Sequence, residues 1–333
     1  MKKTSLLILV LSVAALALFQ GCDKKNTVAV DVAAQKKLRL AFICNGPKNE
    51  FWSIVQLGCD FGARQLGGVD VAFRAPANAD STAVAQQEIM SDLIAAGVDG
   101  IAISPVDGET QTEFLNQTAA KTLLVCADSD AANSRRTCYI GTDNTAAGMQ
   151  AAELIKAALP QGGKVILFVG HPNAQNAKDR IQGLQDALAG SNLQIVDTLA
   201  DGKQSAVAQK NAQESLAKYP DLAGMVGLYS YDGPAILNAV RGAGKAGQVK
   251  IVCFDEDTNT LAGIAAGDIY GTIVQSPIEF GRQAIVRMGK YLQGDKTQLA
   301  AGKILIPSRP ITKDNLAAFQ AGRESALQTR VTP

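Results

Sequence analysis

Between residues 37 and 310, short apolar runs alternate with longer stretches whose apolar positions recur every three or four residues. The short runs are LRLAFIC (38–44), VDVAFRA (69–75), GIAIS (100–104), LLVCA (123–127), KVILFV (164–169), LQIVDTL (193–199), GMVGL (224–228) and KIVCF (250–254), with a late run YGTIV (270–274). They are apolar on both faces and rich in Val and Ile, the pattern of parallel strands covered by helices on each side. The stretches between them, 51–66, 82–96, 110–121, 145–159, 174–188, 206–218 and 234–240, have helical length and period. Glycines follow several of them, at Gly67, Gly97, Gly190 and Gly242, where a left-handed cap ends a helix. Strand and helix alternating at this spacing predict doubly wound parallel sheets. Two comparable sets of strands, with YIGTDN (139–144) as the joint, predict two similar α/β lobes.

Size agrees with that division, because 333 residues exceed the roughly 250–300 at which a single core stops growing. A hydrophobic fraction of 47% and a mean hydropathy of +0.06 exclude wholesale disorder. A formal charge of +1 argues against a surface that coats nucleic acid. His171 is the only histidine, so multi-histidine metal sites cannot be built, and a Ser-His-Asp enzyme would have to use that residue. No cofactor is expected.

The N-terminus reads as a leader. Lys2 and Lys3 precede an apolar run over 6–19, then Gln20, Gly21 and Cys22. A basic start, an apolar run too short to span and a small residue at the cut describe an export signal over 1–21. LFQGC resembles a bacterial lipoprotein box, which implies lipidation of Cys22, although Phe19 and Gln20 replace its commoner residues. Residues 22–36 have no strand or helix period and read as a tether. Cleavage removes two lysines and no acid, leaving a near-neutral chain on the outer side of a membrane. Five cysteines follow the anchor: Cys44, Cys59, Cys126, Cys138 and Cys253. Three lie inside apolar runs, where a free thiol behaves as a small hydrophobe, and no pair has metal-ligand spacing.

In open α/β sheets, ligands bind beyond the carboxyl ends of the strands. Those ends are polar or aromatic here. Asn45 and the segment GPKNEFW follow the first strand; Ser104, Pro105 and Asp107 follow the third; Asp128 follows the fourth. In the second set the ends carry GHPNAQNAKDR (170–180), Tyr229, Ser230, Tyr231 and Asp232, then Asp255, and finally Gln275. General loop polarity does not explain the aromatic pair Phe51 and Trp52, or lone carboxylates directly at two strand ends.

Taken in order, these residues resemble the periplasmic solute-binding proteins of sugar ABC transporters, of the ribose-binding type, over nearly all of 37–310. The landmarks are Asn49-Glu50-Phe51-Trp52, Asp128 at a strand end, and the segment Thr142-Asp143-Asn144. After them come Asn176, Lys178, Arg180 and Gly183 at a helix start, Asp255 after Phe254, and Gln275. The chain departs from the ribose pattern at Ser104, Ser129, Lys178 and Tyr231, which points away from ribose but not from sugars. The resemblance implies a periplasmic binding protein-like I fold whose lobes are joined by three segments, near Thr142, Gln275 and Leu305. The first lobe then comprises 37–141 with 276–304, and the second 143–274 with 306–333. It also implies a monomer that closes on its ligand and docks on an ABC permease.

The expected ligand set is Asn49, Phe51, Trp52, Ser104, Asp128, Asn176, Lys178, Tyr231, Asp255 and Gln275. A sugar presents vicinal hydroxyls around a ring with apolar C–H faces. Asp128 and Asp255 can each accept from two adjacent hydroxyls, in charge-assisted bonds about twice as strong as neutral ones. Asn49 and Gln275 donate and accept at once. Phe51, Trp52 and Tyr231 can cover ring faces. Lys178, a donor only, stands either as a ligand residue or as a solvated helix residue, while Arg180 reads as structural and His171 as a loop residue. A sensor presenting a furanose-like signal or nucleoside to a receptor shares this architecture. A carbohydrate-active enzyme would need a carboxylic acid with a raised pKa beside a scissile bond, and nothing marks one. A transcription regulator would carry a DNA-binding motif where the export signal stands. Gly242-Ala243-Gly244-Lys245-Ala246-Gly247 fits the dinucleotide fingerprint but follows a helix and precedes a strand, the reverse of what phosphate binding needs.

Overall fold

The computed structural model describes residues 37–76 and 83–331; the leader, Cys22 and the tether lie outside them. The first half runs β1 (Leu38–Ile43), α1 (Glu50–Leu66), β2 (Val69–Arg74), α2 (Ala83–Ala95), β3 (Gly100–Ile103), α3 (Thr112–Ala119), β4 (Leu123–Ala127) and β5 (Cys138–Thr142). The chain continues through α4 (Asn144–Ala158), β6 (Gly163–Val169), α5 (Gln175–Leu188), β7 (Leu193–Ala200), α6 (Ser205–Lys218), β8 (Leu222–Gly227), α7 (Asp232–Gly242), β9 (Lys250–Phe254), α8 (Thr258–Ala266) and β10 (Gly271–Val274). It closes with α9 (Pro277–Leu292), β11 (Lys303–Ile306), β12 (Arg309–Thr312) and α10 (Leu316–Val331).

Two six-stranded sheets result, ordered β2-β1-β3-β4-β5-β11 and β7-β6-β8-β9-β10-β12. Strand for strand, the second order repeats the first. All pairings are parallel except β12 against β10, where Pro310 sits on an edge strand, the place in a sheet that tolerates a residue without an N–H. Alternation along β1 shows how each lobe builds two cores. Leu40 and Phe42 face α1 and α9, while Ala41 and Ile43 face α2 and α3. In the other lobe, Val165 and Leu167 of β6 face α4 and α5, and Ile166 and Phe168 face α6, α7 and α10.

The chain passes between the sheets three times: from β5 into α4, from β10 into α9, and from β11 to β12. Leu305 lies inside β11, so the last of these follows Ile306. The expected glycine cap after α7 falls on Gly244 (φ 67°), because Gly242 is still helical. Glycines also let the paired helices touch. A Cβ on Gly281 of α9 would lie 2.1 Å from the Val55 carbonyl oxygen of α1, and one on Gly183 of α5 would lie 2.0 Å from that of Thr145 on α4. The five thiols after the leader are free and buried. Among the described residues, no helix is long and apolar enough to cross a membrane.

Candidate ligand-binding cleft

The carboxyl ends of the two sheets face one cavity of about 510 Å³ including its mouth, within the range of small-molecule sites. Asp128 and Asp255 stand at equivalent positions in it, directly after β4 and β9. Both adopt the left-handed conformation, φ 65° and 70°, which costs a non-glycine residue roughly 1–2 kcal/mol. The backbone around them repeats too. The Asp128 N–H donates to the Ile140 carbonyl at 3.2 Å, and the Asp255 N–H to that of Ile273 at 2.9 Å. Their own carbonyls accept from the hydroxyls of Tyr139 at 3.0 Å and Thr272 at 2.7 Å, each the second residue of the next strand. Two strained aspartates are thus pinned by the same scaffold, a sign that the carboxylate positions matter.

The carboxylates differ in partners. Ser104 donates to Asp128 at 2.7 Å; Gln275 donates through its amide to Asp255 at 2.7 Å and accepts from Thr142 at 2.8 Å. Burial raises both acids, against the pull of the Arg180 charge, and Asp255 reaches about 6. Arg180, 1% exposed, lies over the Phe254 ring, with its Cζ 4.3 Å from the centroid. It donates to Asn144 at 2.9 Å and to the Leu228 carbonyl at 2.5 Å, while its Nη2 has no hydrogen-bond partner among the described residues.

The first lobe contributes an apolar wall. Asn49 caps α1 by accepting from the Trp52 N–H at 3.0 Å, which sets Phe51 and Trp52 edge to face with centroids 5.0 Å apart. Opposite them, Tyr231 donates to Asp201 at 2.6 Å and Tyr229 lies 3.3 Å from the Asn176 side-chain oxygen. Burial pushes the Asp201 and Asp232 carboxyls up, and the Asp201 charge pushes Asp232 further.

Of the expected residues, Asn49, Phe51, Trp52, Asp128, Asn176, Tyr231, Asp255 and Gln275 line the cavity. Ser104 stands behind Asp128 rather than in the wall. Lys178 is not in the wall; it pairs with Glu109 at 3.0 Å, half-buried against an exposed carboxylate. Two cations went unassigned by sequence reasoning. Arg180, read as structural, lines the cavity; so does Lys203, in the turn after β7. The rule that found Asp128 and Asp255 points to Lys203 as well, since LQIVDTLA ends three residues before it.

A model of the periplasmic binding protein domain matches residues 40–296. The chain belongs to the periplasmic binding protein family. The similarity to this family of solute binders, first indicated by the strand-end residues, therefore holds for most of the chain. The putative rhizopine-binding protein of Rhizobium meliloti is 27% identical over 284 residues, covering 82% of this chain and 89% of that protein. The ribose import binding protein of Salmonella typhimurium is 24% identical over 275 residues, covering 82% and 90%. Among solved structures, an ABC transporter solute-binding protein from Burkholderia graminis in complex with D-arabinose superposes with a TM-score of 0.79 at 28% identity, covering 84% of this chain and 97% of that one.

Proposed function

We propose that this chain captures a monosaccharide or small polyol between its lobes and delivers it to an ABC permease, without chemically changing it. The observation that carries this reading is the pair Asp128 and Asp255: two acceptors on opposite lobes, 3% and 5% exposed, reach one small ligand only when the lobes are together. Aromatic faces from Phe51, Trp52 and Tyr231 suit the C–H surfaces of a sugar ring. A ligand touching both lobes favours the closed arrangement by its differential contacts. The three connections near Thr142, Gln275 and Ile306 serve as the hinge, dividing the lobes at 37–141 with 276–306 and 143–274 with 307–333. Export over 1–21 and lipidation of Cys22 fix the protein, as a monomer, to the outer side of a membrane through the tether at 22–36.

Thermal-shift and calorimetric titration against pentoses, hexoses, polyols and nucleosides tests the reading, since a ligand raises stability by RT ln(1+[L]/Kd). Saturable binding of a sugar or polyol recovered intact is the expected result. A chemically altered sugar overturns the transport reading, and binding of nucleosides alone supports the sensor alternative.

A further inference from the structure

The groups facing the ligand are charged in both senses. Asp128 and Asp255 are opposed by Arg180 and Lys203, so two acids meet two cations in one small space. Arg180 is held by Asn144 and the Leu228 carbonyl within its own lobe. Lys203 is different. Its ammonium crosses from the second lobe to donate to the Asn45 carbonyl at the end of β1 in the first.

The backbone is built to send it there. Gly202 and Lys203 are both left-handed, φ 63° and 65°, and Lys203 shares with the two site aspartates a conformation found at no other non-glycine among the described residues. The Asp201 carboxylate accepts from the Lys203 N–H at 2.8 Å, and the Gly202 N–H donates to the Gly170 carbonyl at 3.0 Å, tying the turn to the end of β6. Burial draws the Lys203 ammonium down to about 7, against the pull of Asp128 and Asp201. An amine desolvated in this way gains most from an acceptor placed beside it. Lys178, the lysine that the sequence offered as ligand donor, is turned out to Glu109.

We propose that Lys203 is the specificity-determining cation of the cleft: it donates to a ring oxygen and, with Arg180, balances Asp128 and Asp255, so that the site takes neutral polyols and turns away ligands carrying an ammonium. This inference rests on the sugar reading above. An amino sugar would bring a third positive charge beside Arg180 and Lys203, whereas removing Lys203 leaves Asp128, Asp201 and Asp255 facing a single cation and makes room for it.

Calorimetry at pH 6.5, where Lys203 and Asp255 are both mainly charged, with D-ribose, D-arabinose, D-glucose and myo-inositol as neutral probes and D-glucosamine as the cationic probe tests the inference. Wild-type protein is expected to bind at least one neutral probe and to disfavour glucosamine. In Lys203→Met the neutral probe weakens at least about tenfold, and the ratio of glucosamine to neutral affinity rises at least about tenfold. Lys203→Gln, equally uncharged but still a donor, shifts the ratio the same way, and Lys203→Arg restores the wild-type ratio. Circular dichroism and the ligand-free Tm establish that each variant is folded. If both uncharged variants keep the wild-type ratio, whether or not all affinities fall together, Lys203 is scaffold and the inference is overturned while the sugar reading stands. Wild-type protein that binds no neutral probe overturns the sugar reading and this inference with it.

Discussion

The two lobes share a strand order, a strained aspartate after the fourth strand, and a hydroxyl from the fifth strand that holds it. They part company in what surrounds that aspartate. In the first lobe Asp128 has a serine at its back and an aromatic wall beside it. In the second, Asp255 has Gln275 at its side and shares its lobe with Arg180, Lys203 and two tyrosines. The backbone perch is duplicated and the ligand-facing chemistry is not. One lobe supplies an apolar plate and the other the cations, so the specificity of the cleft arises only when they meet.

That comparison can be broken first at the helix crossings. Gly281→Ala and Gly183→Ala each force a methyl onto a backbone oxygen, and overpacking of this kind costs roughly 1–3 kcal/mol, here at the upper end. Equal losses of Tm, measured by calorimetry, mean the lobes tolerate strain alike; a loss in one variant only means the other crossing relaxes.

A pH series of ligand-free stability compares the acids. Asp255 has a folded pKa of about 6 against 3.8 for the free group, so the folded state holds more protons between those values. Stability therefore falls as pH rises from about 4 to about 6 and levels off above, a loss of about 3 kcal/mol from this group. Asp255→Asn is expected to flatten that slope and Asp128→Asn to flatten its own share, since Asp128 is also raised. Urea titrations across the window measure both, and an unchanged slope in either variant means that carboxylate is not desolvated.

In ligand binding the same two substitutions should each weaken affinity at least about tenfold, because bonds to a charged acceptor contribute ~1.5–3 kcal/mol each. Calorimetry that finds one loss and not the other makes a single lobe the primary binder. The smallest effect belongs to the perches. Tyr139→Phe and Thr272→Val remove the hydroxyls beside the aspartate carbonyls and should cost about 1 kcal/mol each. Tyr139→Phe should cost more, since its hydroxyl also accepts from Asn144 at 3.2 Å.

The sequence made the buried strands legible because each is a run of apolar residues on both faces. It hid β5, where Gly141 and Thr142 break the run, and β11, where the burial of KILI alternates. It hid α9 as well: Gly281 and Gly289 weaken a helical pattern, yet they are there for contact with α1. Within the cleft, strand-end position together with family resemblance found both aspartates, the aromatic wall and Gln275. Lys178 was misplaced because a helix start fixes a residue's position but not the direction of a long side chain. Lys203 escaped because Asp-Gly-Lys reads as an ordinary turn, and its left-handed backbone cannot be seen in the letters.

The five sealed thiols bear on how such a chain matures. Burial holds Cys44 up at about 12 and raises Cys59, Cys126, Cys138 and Cys253 as well, so little thiolate forms at neutral pH. Once folded, the molecule offers none of these five thiols to an oxidant, and none of them is paired. Their exposure to oxidation is confined to the interval before the sheets close over those sulfurs.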